Sequence, residues 1–253
     1  VVTGGPMVAR AALASRKRAI VAGPGNPPVV VDATADLTRA ASGIIKGASY
    51  DNNLLCIGEK QVFAVAEIFD KLMDSMSQHG GYRLSHQQVQ ALTNAAFPVG
   101  SDGKPHLNKD LIGRDPSVLA AAAGFSVPAG TQLLYGETDE NHPFVQTEQM
   151  MPFVPFVRVS CVDRAMSLAK SSEHGYGHTA ILHSRDTEVM TRMGKVMECT
   201  IFVINGPSTD GLGLGGAGEA SFSIAGPTGE GITTPRTFTR RRRTTVVNAM
   251  RFL

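Results

Sequence analysis

Two hydrophobic periods alternate along this chain, and that alternation is what most narrows its possible folds. Short apolar, β-branched runs at 29–31, 62–66, 132–136, 157–161, 179–183 and 200–204 read as strands. Between them lie amphipathic segments with helix-start chemistry. Residues 32–36 cap a helix whose inward positions are Leu37, Ala40, Ala41, Ile44, Ile45 and Ala48. Phe69, Leu72, Met73 and Met76 share one face of a second, where the methionines read as packing. Ser85 and Gln88 form a capping box, Asp115-Pro116 is an N-cap followed by proline, and Asp163 and Asp186 each open a further helix. Strand, helix, strand in regular succession predicts an α/β fold with a largely parallel sheet flanked by helices.

The chain's 253 residues are long enough for one large domain or two small ones. A net charge of +2 implies no general attraction to nucleic acid or membrane. Cys56, Cys161 and Cys199 show no C-x-x-C spacing, so neither a disulfide framework nor a zinc site is expected, and a reducing cytoplasm is the natural compartment. Cys161 and Cys199 fall at strand edges and read as core. No apolar run approaches the ~18 residues of a membrane span, and no signal peptide is read.

Cys56 lies differently. Asn52 and Asn53 stop the helix before it, and a buried strand leaves from Gln61. A thiol on a short connection between two anchored elements suits a nucleophile. It equally suits a small buried hydrophobe, the commoner use of a free cysteine.

At the start, Val1-Val2-Thr3-Gly4-Gly5 reads as a strand entering a glycine turn, with a helix to about Ser15 beyond it. An anion can sit at such a junction. The start reads as the middle of a domain. Residues 211–231 are glycine-rich but match neither a P-loop nor a strand-G-x-G-x-x-G-helix context. The tail, 236–252, alternates Thr, Phe, Arg and Val and is expected as an exposed strand. Its run Arg240–Arg243 fits a charged edge better than a nucleic-acid site.

Several spaced pieces together resemble the aldehyde dehydrogenase superfamily, and most of all its CoA-acylating branch, the propionaldehyde and acetaldehyde dehydrogenases of bacterial microcompartments. They are Val-Thr-Gly-Gly at 2–5, Ala-Gly-Pro-Gly-Asn-Pro-Pro-Val-Val-Val-Asp at 22–32 and Asp-Asn-Asn-Leu-Leu-Cys at 51–56. His-Pro-Phe at 142–144, Glu-Gln-Met-Met-Pro at 148–152, His-Thr-Ala at 178–180, and Asn-Gly-Pro-Ser with Gly-Leu-Gly-Leu-Gly-Gly at 205–216 continue the match. Pro-Thr-Gly-Glu-Gly and Arg-Thr-Phe close it.

The resemblance implies Cys56 as nucleophile, Glu148 at the nicotinamide ribose of NAD, and Thr3, Gly4 and Gly5 at the turn near the cofactor phosphates. It implies His178 and Asn205 along the catalytic funnel, a small aldehyde and CoA as substrates, and no metal. Residues 1–24 would be the end of an NAD-binding domain, 25–230 the catalytic domain, and 231–253 an oligomerisation strand in a homo-oligomer. Contact with a microcompartment shell would run through an N-terminal segment that precedes these residues in relatives. The location implied is cytoplasm or microcompartment lumen.

One departure is informative: hydrolytic members of the superfamily carry a Glu base where this chain has Ala22, 34 residues before Cys56 (56 − 22). Without it a thioester would persist for CoA, whose thiol needs less activation than water. A hydrolytic dehydrogenase and a non-catalytic fragment or oligomerisation module stand as the other readings.

Overall fold

The computed structural model describes residues 1–213 and 220–248. Its centre is a seven-stranded, all-parallel sheet, in the order β5-β6-β7-β4-β3-β8-β9. Those strands are β3 (Pro28–Val31), β4 (Gln61–Val65), β5 (Gly81–Arg83), β6 (Leu133–Thr138), β7 (Phe153–Val159), β8 (Thr179–His183) and β9 (Ile201–Ile204). β3, β4 and β8 are buried at every position, as strands covered on both faces must be.

The crossovers use α2 (Leu37–Ser49), α3 (Ala66–Gln78), α4 (His86–Ala96), α5 (Pro116–Ala122), α6 (Pro143–Gln146), α7 (Val162–Ser172) and α8 (Thr187–Met197). Steps from β3 to β4 and from β7 to β8 run in opposite directions across the sheet. Right-handed connections therefore set α2 and α3 on one face and α7 and α8 on the other. Asp36 caps α2 through the Arg39 amide, Ser85 and Gln88 close a capping box on α4, and Asp186 caps α8. Predicted helix-inward residues such as Ile44, Phe69 and Met73 are fully buried.

A second core lies toward the β5–β6 edge, where Phe144 packs edge-on against Phe97 at 4.9 Å and tilted against Phe153 at 4.6 Å. Apart from the large sheet, β1 (Val2–Thr3) and β2 (Val21–Ala22) pair in parallel around α1 (Pro6–Ala14), and β10 (Ile224–Ala225) pairs with β11 (Gly231–Ile232).

Three expectations change. The tail forms no strand among the described residues: Pro235–Phe238 is a 3-10 turn and 239–248 is irregular, so its alternating pattern has no neighbour to pair with. Residues 249–252 and 214–219 lie outside the described residues. Cys161 is exposed and caps α7, two residues before the Asp163 expected there, and Cys199 is half-buried rather than core. Finally, the strand expected at 157–161 lies earlier, as β7 at Phe153–Val159, with Pro155 inside it at the cost of one ladder bond.

Candidate active site

Four neighbouring strands, β7, β4, β3 and β8, start at one end of the sheet, and the segment ahead of each brings one group to a common place. Glu148 precedes β7, Cys56 precedes β4, Gly25 and Asn26 precede β3, and His178 precedes β8. In open α/β sheets ligands usually bind at the carboxyl ends. That end holds a cavity of ≈ 310 Å³ lined by Asp32, Thr34, Ser160, Cys161 and Asp186, but none of the expected site residues.

The Cys56 loop leaves α2 through three successive residues in the left-handed region, Asp51, Asn52 and Asn53, with φ of 49°, 50° and 62°. Asp and Asn tolerate that region best among residues with side chains. Asn52 Nδ2 donates to the Gly113 carbonyl at 3.0 Å and to Asp115 at 2.8 Å. Asn53 Nδ2 donates to the Glu59 carbonyl at 3.0 Å.

Behind the loop lie two fully buried charged residues. Lys60 Nζ donates to Asn53 O (2.6 Å), Asn53 Oδ1 (2.7 Å) and Leu55 O (3.1 Å). The Glu59 carboxylate accepts from the Ser208 amide and hydroxyl, both at 2.8 Å. Burial pushes Glu59 up to about 7 and Lys60 down to about 8.

Cys56 is half-buried. Its thiol is pushed up by burial and then by the Glu148 carboxylate, while the Lys60 ammonium opposes both. Glu148 is itself raised by burial, against the pull of Lys60 and the Gly25 amide. His178 is buried and held down to about 4, first by burial and then by Lys60, so it is neutral near pH 7. Its Nδ1 pairs with Thr179 Oγ1 at 2.8 Å, and its Nε2 has no partner among the described residues.

Gly25 explains how these segments close up. A Cβ there would stand 3.0 Å from His178 Cγ and would crowd the Cys56 carbonyl. Behind it, Asn26 Nδ2 donates to Val145 O and Ser172 O, and Gln61 Nε2 to Asn26 O and Ser172 Oγ, fixing the strand starts to one another.

Thr3 ends β1 of the small β1–β2 sheet, Gly4 follows with its amide bonded to Ala22 O at 3.1 Å, three residues before Gly25, and Gly5 caps α1. Asn205 is not brought to this group. It follows β9, and register sets it four positions beyond the level of Thr179, roughly 13 Å along the strands. There its side chain brackets Ser184, accepting from the amide and donating to the carbonyl. Glu59, Lys60, Asn26 and Gln61 went unnoticed as site residues, because charged and amide side chains beside a strand are ordinarily solvated.

No family model matches the chain. An acetylating acetaldehyde dehydrogenase of Salmonella typhimurium is 47% identical over 255 residues, covering 100% of this chain and 55% of the relative. A propionaldehyde dehydrogenase of Rhodopseudomonas palustris, solved with bound propionyl-CoA, superimposes with a TM-score of 0.90 at 46% identity, covering 95% of this chain and 53% of that one. The same enzyme is known with CoA and an acylated cysteine. This stretch of chain is similar in sequence and fold to part of the CoA-acylating aldehyde dehydrogenases. A propionaldehyde dehydrogenase from a fucose-utilisation microcompartment of Clostridium phytofermentans also matches, with a TM-score of 0.90 at 41% identity over 96% of this chain and 55% of that one. The chain spans about half the length of the relatives it matches. Their fold is the α/β architecture expected from the alternating periods.

Proposed function

We propose that this chain carries the acyl-transfer site of a CoA-acylating aldehyde dehydrogenase acting on a short aldehyde, acetaldehyde or propionaldehyde. The observation that supports this most is the convergence of Cys56, His178 and Glu148 at the amino ends of four adjacent strands. Cys56 gives up its proton to solvent and its thiolate Sγ bonds to the aldehyde carbon, the carbonyl electron pair moving onto the oxygen, and the developing oxyanion accepts from the Cys56 amide. Among the described residues that amide donates to no backbone carbonyl and turns instead to the Cys56 sulfur itself. His178 is neutral and its buried Nε2 is unpaired, which leaves it an acceptor for the proton of the incoming CoA thiol as that sulfur displaces Cys56 from the acyl carbon.

The cofactor expected is NAD, a neighbour being solved with NADP+, and the residues present fit the nicotinamide and phosphate portions of such a cofactor. Glu148 offers a carboxylate beside Cys56. Gly5 caps α1 without a side-chain bond, leaving first-turn amides open to a phosphate. When bound, the nicotinamide serves as hydride acceptor.

In this reading residues 1–24 end the NAD-binding domain, 25–230 form the catalytic domain, and 231–253 take part in assembly of a homo-oligomer. The Clostridium relative supports a microcompartment location. Among the described residues no helix is long and apolar enough to cross a membrane.

Incubating the folded protein with propionyl-CoA should leave one propionyl group on the peptide containing Cys56, and Cys56→Ser should abolish it. Acylation elsewhere, or none, would sink the reading. Propionic acid released from the acyl-protein as fast as CoA-dependent turnover would favour a hydrolytic enzyme instead.

A further inference from the structure

Lys60 has no part in the chemistry above, yet it is the cation that recurs around Cys56. It is fully buried, and all three of its protons go to oxygens of the nucleophile loop, none of them a carboxylate. One of these is the carbonyl of the Leu55–Cys56 peptide, at 3.1 Å, which also accepts from the Gly58 amide at 3.0 Å. The N–H of that same peptide belongs to Cys56. The ammonium therefore grips one side of the peptide whose other side faces the site, and it lies one residue from the thiol's own backbone.

We propose that Lys60 is a positioning residue for the nucleophile: its ammonium fixes the Leu55–Cys56 peptide and faces the Cys56 thiolate as its countercharge. This rests on Cys56 being the nucleophile. Two effects follow from one contact. A carbonyl held by a cation polarises its peptide, so the Cys56 amide becomes a stronger and better-aimed donor. The same charge favours the thiolate over the thiol, against burial and against Glu148. The titratable groups that face Lys60 are Cys56, Glu59, Glu148 and His178, and it favours the anion at the first three while disfavouring protonation of the fourth.

The test uses a Cys161→Ser background, which removes the exposed competing thiol. Iodoacetamide labelling of Cys56, followed by peptide mapping across pH, gives its inflection. Lys60→Gln keeps donors for the loop but removes the charge. It should raise the inflection by about one pH unit, slowing labelling ~10-fold on the acid side, with little change at high pH. A folded Lys60→Gln protein whose profile coincides with the parent would overturn the proposal.

Should that variant not fold, the unsubstituted lysine answers the same question, because coupling between two charges is reciprocal. In protein labelled with ¹³C at lysine Cε, one lysine signal should titrate near 8 with its alkaline limb drawn out as Cys56 ionises, and carbamidomethylation of Cys56 should remove that drawn-out limb. A lysine titration whose alkaline limb is unchanged by Cys56 modification would also overturn it. Both readouts are independent of acyl transfer. Failure here leaves the acylation experiment standing, and failure of acylation leaves these results interpretable.

Discussion

Gly47→Ala is the sharpest probe of the scaffold behind the nucleophile, because two effects of opposite sign meet there. Gly47 lies in the last turns of α2 and is buried, and a Cβ on it would fall within the Glu59 carboxylate. In an exposed helix interior the same substitution stabilises by about 1 kcal/mol. Here the carboxylate must swing aside and give up the Ser208 amide and hydroxyl, each at 2.8 Å. A hydrogen bond to a charged group contributes ~1.5–3 kcal/mol, and a buried carboxyl left unpaired adds its desolvation. Losing two such bonds outweighs the helix gain, for a net loss of ~2–5 kcal/mol. With an m-value of ~2–3 kcal/mol/M in urea, the unfolding midpoint should fall by ~1–2 M at unchanged slope. Gly43→Ala, one turn earlier, is the control: the nearest atoms to its Cβ would be His183 Cε1 at 3.3 Å and the Gly206–Pro207 backbone at 3.5 Å, so its midpoint should move far less. A Gly47→Ala protein as stable as the parent would show that the Glu59–Ser208 contact is not what holds this end of α2.

Glu59 also gives a pH signature. Its folded value of about 7 lies above the unfolded 4.5, so its contribution is full below about 4.5 and is lost as pH rises through about 7. At ~1.36 kcal/mol per pH unit that difference is worth ~3 kcal/mol, so stability relative to Glu59→Gln should fall by roughly that amount between pH 5 and 8. Parallel curves in urea titrations would refute it. Alkylation should also contradict the reading of Cys161 as core: it is exposed at the start of α7, its thiol held down first by the Arg164 amide and then by the Ser160 hydroxyl. Iodoacetamide should therefore label Cys161 before Cys56, whose thiol is pushed up, and time-resolved peptide mapping showing the reverse order would refute it.

The strands and helices could be read from the sequence because their periods are local. Residues 29–31 and the inward face of α2 announce themselves in a dozen residues, and Asp36, Ser85 and Asp186 cap where such residues cap. Cys56 and the Asn52-Asn53 stop were equally visible, since left-handed backbone has a residue preference. Less could be read where the deciding contact is distant in sequence. Asn205 carries a matching motif, yet its partner Ser184 is 21 residues away, and only sheet register shows which end of the strands it occupies. The alternating tail illustrates the same limit, because a strand needs a neighbour that no pattern within 236–252 can supply.

Glu59 and Lys60 are the most instructive omission, and the loop itself explains why charges are buried there. Three successive left-handed residues take the chain out of α2, so the carbonyls of Asn53 and Leu55 point away from any helix or sheet ladder. Buried carbonyls need donors. A neutral side chain brings one or two N–H or O–H groups, whereas an ammonium brings three and can satisfy Asn53 O, Asn53 Oδ1 and Leu55 O together. Glu59 then lies beside a buried cation, which favours its ionised form, and Ser208 supplies its two donors. The polar demand of an irregular loop, rather than any surface preference, thus selects a lysine at the foot of a buried strand. The same choice leaves a positive charge one peptide from the thiol.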